Sequence, residues 1–469
     1  MIASRPLRLA VFLLIFALSA CTNSISKDTG TPTSSPDVTK ETPVPSEKTP
    51  VPAVSTLDVD PGALRGVQVN VWHPWFGTEA SLFESQVAKF NSENEWGITV
   101  NTQGKGSYSE LFSQISAALE DKSYPQVVIA LPEQAFGWGD KVVDLKPYVN
   151  DPVYGLSTDD VLDFPPVIWD QETLGGKRFG VPAERTARFL LYNQTWAREL
   201  GFPSPPATSA DFEQQACAAN KALASDADLD NNALGGWMID TDPMTALSWL
   251  QAFGGGAQEE DSYRFLTPGN IAAFKFVKNM QMRGCAWVPS QDLSVYERFA
   301  ARQALFATAS LEELPDQARA FLASGSQDEW TVVPFPGDKQ TAFMVYGSSY
   351  AMLDSDDVTR LASWLFMRWM LSPQNQASWV KSTDLFPLRT SEMSLLADYS
   401  AEHSQWSAAV QMLPDGKETP RLASWRVVRT MLGDGFRDMF DTIRHPDLTE
   451  GQVPLILKQM DETVTELER

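Results

Sequence analysis

The feature that most constrains the fold is an alternation of short strand and helix patterns that begins at Val67. Val67, Val69 and Val71 alternate with polar residues, as in a strand with one buried face. Apolar residues at helical spacing follow, then a second strand pattern at 98–102, a second helix pattern, and the continuous apolar run Val127–Leu131. Strand, helix, strand, helix, strand predicts a doubly wound α/β lobe. Ligands of such sheets bind beyond the carboxyl ends of the strands.

The chain has 469 residues, and the part beyond residue 60 is longer than one hydrophobic core usually serves. We therefore expect two lobes. The middle of the chain is predicted to be mostly helical, followed by further strands and helices. The predicted helices are Ser209–Ala224, Asp242–Phe253, Pro268–Arg283, Tyr296–Phe306, Thr359–Met370 and Gly451–Leu467, and the predicted strands are Thr331–Pro334 and Thr341–Met352.

The N-terminus has the layout of a secretory signal peptide over residues 1–20. Arg5 and Arg8 are followed by an uncharged apolar stretch that is too short for a permanent membrane span. The tetrad Leu18-Ser19-Ala20-Cys21 resembles the processing site of bacterial lipoproteins, which implies a lipid on Cys21 and an extracytoplasmic protein anchored to the membrane. The alternative is an ordinary signal peptide cleaved after Ala20, with Cys21 there by chance.

Residues 21–63 are rich in Thr, Ser, Pro, Lys and acidic residues and contain no aromatic residue. Such a segment buries too little apolar surface to offset the entropy lost on ordering. Its prolines favour extended conformations of roughly 3 Å per residue. We expect a disordered tether.

Charge and cysteine content narrow the possible partners. The net charge is −23, with 37 Lys+Arg against 60 Asp+Glu, and no basic stripe is present, so nucleic acid is not an expected partner. We expect a soluble monomeric domain. With Cys21 lipidated, Cys217 and Cys285 remain, and a disulfide between them is the preferred interpretation for an exported protein. Two buried free thiols are the alternative.

The sequence gives little support for a metal or cofactor site. The histidines are His73, His403 and His445, far apart, and no C-x-x-C pair, G-x-S-x-G elbow or P-loop is present. Asp226, Asp228 and Asp230 imitate the start of a calcium loop. The sixth position of that loop is asparagine and the twelfth is tryptophan, so the bidentate ligand is missing and a solvated turn is favoured. No cofactor is expected.

The aromatic content is more informative. The chain has fifteen tryptophans, several of them near loops or small residues. Flat aromatic faces among acidic and amide side chains suit sugars, although core packing is the more common role of any single tryptophan. The tryptophans considered are Trp72, Trp75, Trp138, Trp237, Trp249, Trp287, Trp406 and Trp425.

Several stretches, in this order and spacing, resemble family 1 extracellular solute-binding proteins of ABC importers, the maltose-binding-protein-like class. The resemblance covers residues 64–469, and Ser209-Ala210 departs from the family's usual Trp-Asp. The stretches are Gly175-Gly176-Lys177-Arg178-Phe179-Gly180-Val181-Pro182 with Leu190-Leu191-Tyr192-Asn193, Leu200-Gly201-Phe202 with Ser209-Ala210-Asp211-Phe212, Gln303-Ala304-Leu305-Phe306, Val333-Pro334-Phe335-Pro336-Gly337, and Ser372-Pro373-Gln374-Asn375-Gln376-Ala377 with Phe386-Pro387-Leu388-Arg389.

The resemblance implies an α/β fold of two lobes, like that of periplasmic binding proteins, with the ligand in a cleft between them. It implies hinge crossovers near 183–187, 332–336 and Ser391. Lobe one would be 64–184 plus 335–390, and lobe two 185–334 plus 391–469. Closure of the lobes on a small solute, most simply a sugar or oligosaccharide, would be recognised by the permease subunits of an ABC transporter.

Carried over position by position, the resemblance implies a set of ligand-contacting residues from both lobes and the crossovers. These are His73, Trp75, Glu79, Gln103, Tyr108, Glu133, Glu184, Arg185, Trp237, Trp249, Ser310, Glu312, Tyr346, Gly347, Arg389 and Trp425. A protein of this kind would carry out no catalysis.

Two alternatives remain open at this point. A cell-surface glycosidase would need two carboxylates across a bound sugar, roughly 5–10 Å apart, and no motif isolates such a pair. A sensor or adhesin could use the same fold without a transporter.

Overall fold

A computed structural model describes residues 53–290 and 294–468. The predicted signal peptide, Cys21 and residues 21–52 of the predicted tether lie outside these ranges. Residues Ala53–Arg469 form one compact unit.

The strands and helices are short and alternate along the chain. The strands are β1 (Gln68–His73), β2 (Thr99–Gly104), β3 (Val127–Ala130), β4 (Thr173–Leu174), β5 (Lys177–Arg178), β6 (Val181–Pro182), β7 (Thr186–Asn193), β8 (Trp237–Met238), β9 (Gln258–Glu259), β10 (Ser262–Tyr263), β11 (Ala286–Trp287), β12 (Phe306–Ser310), β13 (Trp330–Val333), β14 (Phe335–Pro336), β15 (Thr341–Ala342), β16 (Met344–Tyr346), β17 (Ser349–Met352) and β18 (Lys417–Glu418). The α-helices are α1 (Gly77–Glu93), α2 (Tyr108–Asp121), α3 (Pro132–Trp138), α4 (Lys146–Val149), α5 (Thr158–Leu162), α6 (Pro166–Trp169), α7 (Gln194–Glu199), α8 (Ser209–Leu223), α9 (Pro243–Ala252), α10 (Pro268–Met282), α11 (Val295–Ala300), α12 (Leu314–Ser324), α13 (Asp357–Met370), α14 (Pro373–Thr383), α15 (Ala397–Glu402), α16 (Ser404–Met412), α17 (Trp425–Phe440) and α18 (Val453–Leu467). Short 3-10 helices lie at Pro61–Leu64, Gly139–Lys141, Asp170–Glu172, Leu229–Asn231, Leu311–Glu313, Thr390–Ser394, Leu413–Asp415 and Glu450–Gln452.

The first sheet has the strand order β2-β1-β3-β17-β6. β1 is parallel to both β2 and β3, whereas β17 runs antiparallel to β3 and β6. Val69 and Val71 of β1 are fully buried between polar neighbours, and every residue of β3 is buried. The alternation of strands and helices from residue 67 to 131 therefore builds the α/β lobe that the sequence predicts.

The second sheet has the order β11-β8-β12-β7-β16-β18, with β13 also paired to β7. β7 lies in its middle and is almost entirely buried. The core of this lobe is rich in aromatic rings, among them Phe212, Trp237 and Trp249, each of which is fully buried. Together the two sheets and their helices confirm the two-lobe α/β architecture.

The chain passes between the two sheets at places that differ in part from the expected ones. The first passage lies between Pro182 of β6 and Thr186 of β7. The second lies between Tyr346 of β16 and Ser349 of β17, so the crossover expected at 332–336 is wrong. An apolar strand reads the same in either sheet, which is why the sequence pattern did not locate this passage.

The sequence pattern also predicted a single strand over Thr341–Met352, whereas the structure has three strands there. The reason is the same, since the pattern does not show which sheet an apolar strand joins. β15 and β16 belong with lobe two, and β17 belongs to the first sheet. The chain returns to lobe two after α14, which packs on α1, and before α16, which packs on β13. We define lobe one as residues 53–182 plus 349–383, and lobe two as residues 186–290, 294–346 and 404–468.

The predicted helix Tyr296–Phe306 is also shorter than expected. α11 ends at Ala300, Arg302 has a left-handed backbone with φ 56°, and Phe306 begins β12. A helix cannot continue through the left-handed conformation at Arg302, and the apolar residues after it belong to a buried strand.

The end of the predicted tether is attached to lobe one. Ser55 Oγ and the Thr56 amide donate to the Asp151 carboxylate, both at 2.8 Å, and Leu64 is fully buried. Burial opposes ionisation of Asp151, but these bonds and those from the Val153 and Tyr154 amides lower its pKa to about 2. The prediction of a disordered tether up to residue 63 is therefore wrong for residues 55–63.

Two further predictions concern cysteine and calcium. Cys217 and Cys285 form a disulfide with a Cα–Cα distance of 4.4 Å, as predicted. The Asp226 and Asp228 carboxylates accept hydrogen bonds from backbone amides two residues further on. Within residues 53–290 and 294–468, no cluster of His, Cys, Asp and Glu side chains could hold a metal ion.

No helix in the described ranges is both long and apolar enough to cross a membrane.

Candidate ligand cavity at the hinge

The passages between the lobes lie side by side and bond to one another. The Ser348 carbonyl accepts hydrogen bonds from the Ala183 amide at 2.9 Å and from Arg185 Nη1 at 2.7 Å. The Arg185 carbonyl accepts a hydrogen bond at 2.9 Å from the amide of Phe386, in the third passage. A Cβ at Gly347 would lie 2.9 Å from Arg185 Cα and closer still to the Glu184 carbonyl oxygen, so glycine is required for this approach.

A cavity of about 310 Å³ opens where these passages meet both lobes. Glu184, Gly347 and Leu385 come from the first, second and third passage. Lobe one contributes the loop after β1 and the start of α2, and lobe two contributes the turn after β12. The lining residues are Pro74, Trp75, Phe76, Glu79, Ser107, Tyr108, Leu131, Glu184, Thr186, Glu312, Tyr346, Gly347 and Leu385.

Glu184 is the most heavily bonded side chain of this lining. Its Oε1 accepts hydrogen bonds from Tyr108 Oη at 2.8 Å, Ser348 Oγ at 3.0 Å and Trp75 Nε1 at 3.2 Å. Its Oε2 is shielded from solvent and, among the described residues, has no hydrogen-bond partner. Burial raises the pKa of Glu184, although these donors oppose the rise.

Two more carboxylates face the same space. Glu79 lies in the first turn of α1, and Glu312 accepts a hydrogen bond from Thr186 Oγ1 at 2.6 Å. Burial and the nearby charges of Glu184 and Glu312 raise the pKa of Glu79 to about 7. Glu79 is therefore partly protonated near neutral pH in the empty cavity.

The described lining of the cavity carries no lysine, arginine or histidine. Arg188 of β7, two residues after the lining residue Thr186, is already paired, with Asp240 at 3.0 Å and Glu313 at 3.4 Å. The cavity is therefore strongly electronegative.

Aromatic rings form much of the remaining wall. Trp75 is 5% exposed and packs against Trp379 with ring centroids 4.7 Å apart. Phe76, by contrast, is 78% exposed. Tyr108 and Tyr346 complete this wall, and burial raises the pKa of both hydroxyls well above the ordinary value. The cavity thus combines apolar faces with convergent polar groups, as ligand sites do.

The structure brings together in this lining Trp75, Glu79, Tyr108, Glu184, Glu312, Tyr346 and Gly347 from the predicted set. The other predicted residues lie elsewhere. His73, the last residue of β1, is 1% exposed and packs on Phe83, and burial lowers its pKa. Gln103 lies in a separate groove with Trp72 and Tyr124.

The predicted arginines stabilise the fold instead. Arg185 is fully buried and forms an ion pair with Glu172, so it cannot contact a ligand in the cavity. Arg389 is 4% exposed, pairs with Asp160 at 2.8 Å and lies over the ring of Phe164. Both assignments as ligand contacts are therefore corrected.

The predicted tryptophans of lobe two are also corrected. Trp237 and Trp249 are fully buried, with ring centroids 5.4 Å apart, because they face the core of that lobe. Trp425 is 1% exposed and stacks on Tyr263. Ser310 is 2% exposed and its hydroxyl donates to Glu313 at 2.7 Å, which caps the turn after β12.

Glu133 lies on another part of the contact between the lobes. It pairs at 3.2 Å with Arg429 of α17, and Arg426 of the same helix lies 4.5 Å from the ring of Phe112 in lobe one. Burial raises the pKa of Glu133 and the charge of Arg429 opposes this rise. The sequence therefore pointed to the right helix but the wrong residues, since Trp425 is buried on Tyr263, whereas Arg426 and Arg429 contact lobe one.

Comparison with known proteins agrees with this geometry. The family model described as bacterial extracellular solute-binding protein matches residues 85–412. This chain belongs to that family. The family places it outside the cytoplasm, and both its description and those of the neighbours below are of binding proteins.

Among its relatives are proteins of Brucella abortus and Brucella suis described as binding proteins, each 22% identical over 283 residues. The match spans 58% of this chain and 66% of theirs, slightly less than two thirds of their length.

The fold is shared with solved structures. The sugar-binding protein MalE from Xanthomonas citri has a TM-score of 0.73 and 21% identity over 86% of this chain and 98% of that one. The cyclic alpha-maltosyl-1,6-maltose binding protein from Arthrobacter globiformis has a TM-score of 0.69 and 18% identity over 85% and 98%. UgpB from Mycobacterium tuberculosis, in complex with glycerophosphocholine, has a TM-score of 0.66 and 17% identity over 86% and 99%.

Proposed function

We propose that this protein captures a sugar or oligosaccharide in the hinge cavity and delivers it to the permease of an ABC transporter. The observation that carries this proposal is that one cavity is lined by residues of both lobes and of all three passages described above. A ligand there contacts both lobes at once, so its binding favours the closed arrangement over an open one.

The choice of a sugar rests on the lining and on the neighbours. Trp75, Phe76 and Tyr108 offer apolar faces for sugar rings, and Glu184 and Glu312 offer acceptors for hydroxyl groups. Two of the neighbouring structures are named for the sugars or sugar class that they bind, and a third was solved with glycerophosphocholine. Sugars are therefore the first ligands to test.

A thermal-shift screen of the chain from Thr22 against mono- and oligosaccharides, with product analysis of each hit, tests this function. We expect stabilisation by at least one sugar without turnover. The Glu184→Gln variant should show a smaller shift, because one carboxylate oxygen is replaced by an amide nitrogen that cannot accept a hydrogen bond. Glu120→Gln, an exposed residue near the end of α2, should keep it. Equal shifts in both variants would contradict binding at the hinge.

A glycosidase is the second candidate, and one observation favours it. Glu79 has a raised pKa of about 7 beside the carboxylates of Glu184 and Glu312. A protonated carboxylic acid next to an ionised one is the arrangement that glycoside hydrolysis uses. Released sugar products that disappear in Glu79→Gln would support an enzyme and reject the binding-protein proposal.

The membrane anchor is part of the same proposal. A lipid on Cys21 and the segment that follows would hold the domain close to its permease, which raises the effective concentration of the captured solute there. Labelling with a radioactive fatty acid should mark the wild-type protein and not Cys21→Ser. Equal labelling of the two would contradict the anchor and leave the binding function untouched.

A further inference from the structure

We propose that the solute bound in the hinge cavity carries a protonated amine, so that an amino sugar is bound in preference to its neutral counterparts. This inference rests on the proposed function, since it names the chemical class of the ligand for the same site.

The first argument is charge. Among the described lining residues, Glu79, Glu184 and Glu312 are acidic and none is basic. The guanidinium groups closest along the chain are already engaged, Arg185 with Glu172 and Arg188 with Asp240 and Glu313. Closure of the lobes removes water from this space, where uncompensated charge becomes costly. A cation on the ligand would supply the missing compensation.

The second argument is an acceptor left without a donor. Three donors of the protein converge on Glu184 Oε1, while Oε2 is shielded from solvent and has no hydrogen-bond partner in the described part of the chain. A buried carboxylate oxygen of this kind is expensive unless a ligand donates to it. A sugar hydroxyl can donate one hydrogen bond, but an ammonium group offers three donors and a positive charge.

The third argument is the wall. Trp75, Tyr108 and Tyr346 line the same space as the carboxylates. Aromatic faces attract an ammonium group as well as the C–H face of a sugar ring. The volume of about 310 Å³ lies at the lower end of the range of roughly 300–1,000 Å³ that is typical of ligand pockets. It suits a small ligand, or one end of a longer one.

The protonation of Glu79 supports this reading of the cavity. The groups that face it are the carboxylates of Glu184 and Glu312, with the hydroxyls of Tyr108 and Tyr346 nearby, and burial and the two carboxylates raise its pKa to about 7. An ammonium group in this space would favour the ionised form of Glu79. Binding of the protonated amine should therefore release a proton from Glu79 near pH 7.

Isothermal titration calorimetry with matched sugars tests the inference. For each of the glucose, galactose and mannose series, the 2-amino sugar, its N-acetyl form and the neutral parent differ only at carbon 2. We expect the amine to bind at least about tenfold more tightly than both counterparts in at least one series. Neutral sugars that bind as well as the amines, or better, would overturn the inference and leave the proposed function standing.

A non-sugar amine separates the two proposals further. If 1,4-diaminobutane binds and every sugar fails, recognition of an ammonium group stands, and the amino-sugar part of the inference falls together with the sugar part of the proposed function. If no amine of the panel binds, the inference is wrong.

Variants separate charge recognition from a general loss of the site. Glu312→Gln and Glu184→Gln should each weaken amine binding about tenfold or more, and binding of the N-acetyl form less than about threefold. Glu120→Gln should change neither. Equal losses for charged and neutral ligands would show that these carboxylates only shape the cavity, and would contradict the inference.

Discussion

Glu184 and Arg185 are neighbours in the first passage, yet they end in opposite electrostatic settings. The guanidinium of Arg185 is fully buried, pairs with Glu172, and donates to the carbonyls of Ser348 and Ile168. The carboxylate of Glu184 faces the cavity beside other carboxylates, with one oxygen unpartnered among the described residues. The positive charge of Arg185 is balanced by a carboxylate of the protein, whereas the negative charge of Glu184 has no such partner in the described lining of the cavity.

This difference separates the part of the hinge that fixes its geometry from the part that binds. Glu172 forms an ion pair with Arg185 and accepts a hydrogen bond from the Ser349 hydroxyl, and Arg178 Nη1 lies 3.8 Å from its other carboxylate oxygen. This cluster therefore holds the first and second passages to lobe one. Balanced buried charges hold a structure only as long as both partners remain. Unbalanced charge costs stability in the empty protein, and a ligand that supplies the balance recovers it.

The largest effect is expected from Arg185→Met, which breaks the balanced side of the comparison. It leaves Glu172 buried without its main partner, and we expect a loss of about 3–5 kcal/mol in the free energy of unfolding, measured by urea denaturation. Arg198→Met, which removes an exposed pair with Glu329, should cost about 0–1 kcal/mol. Similar losses in the two variants would contradict the structural role of Arg185.

Gly347→Ala should affect both Glu184 and Arg185, because Gly347 of the second passage packs against these two residues of the first passage. The added Cβ meets Glu184 and Arg185 backbone atoms, so we expect a loss of about 1–3 kcal/mol together with weaker sugar binding. Gly137→Ala in α3 is a matched control, because the added Cβ would lie 3.8 Å from the ring of Phe112 in α2, an ordinary contact. A helical glycine replaced by alanine should gain about 0.5–1 kcal/mol. If Gly347→Ala changes neither the free energy of unfolding nor sugar binding, the passages are not closely packed at this point.

The smallest effect concerns the unbalanced side and depends on pH. Since the pKa of Glu79 is raised to about 7 in the folded protein, its protonated form stabilises the fold below the unfolded pKa, and this contribution is lost as the pH rises through 7. Glu79→Gln should therefore be more stable than wild type at pH 8, on the order of 1 kcal/mol after solvent screening, and equal to it well below pH 5. A constant difference between pH 4 and pH 8 would contradict this assignment.

The sequence was most informative where local pattern decides structure. The strand ends of lobe one were visible, and three of the loop residues chosen there, Trp75, Glu79 and Tyr108, line one cavity. Buried tryptophans carry no such signal, because a large aromatic ring suits a core as well as a cleft. Trp237 and Trp249 were therefore predicted to contact the ligand, although both are fully buried in the core of lobe two.

Long-range pairing explains the other differences. β16 and β17 are separated by Gly347 and Ser348 but belong to different sheets, which depends on strand partners far along the chain. Arg429 reaches Glu133 because α17 packs against α3, which is far from it along the chain. The helical period could not have separated these roles, because Trp425 and Arg429 are four residues apart and lie on one side of the helix.

The central claim is that the solute binds in the hinge cavity between the lobes. Hydrogen–deuterium exchange of the chain from Thr22, with and without the sugar that binds most tightly in the titrations, tests it directly. We predict protection of the amides in 75–79, 107–108, 183–186 and 346–347, which come from both lobes and the passages between them. Protection confined to the groove between α17 and α18, with these segments unchanged, would contradict the claim.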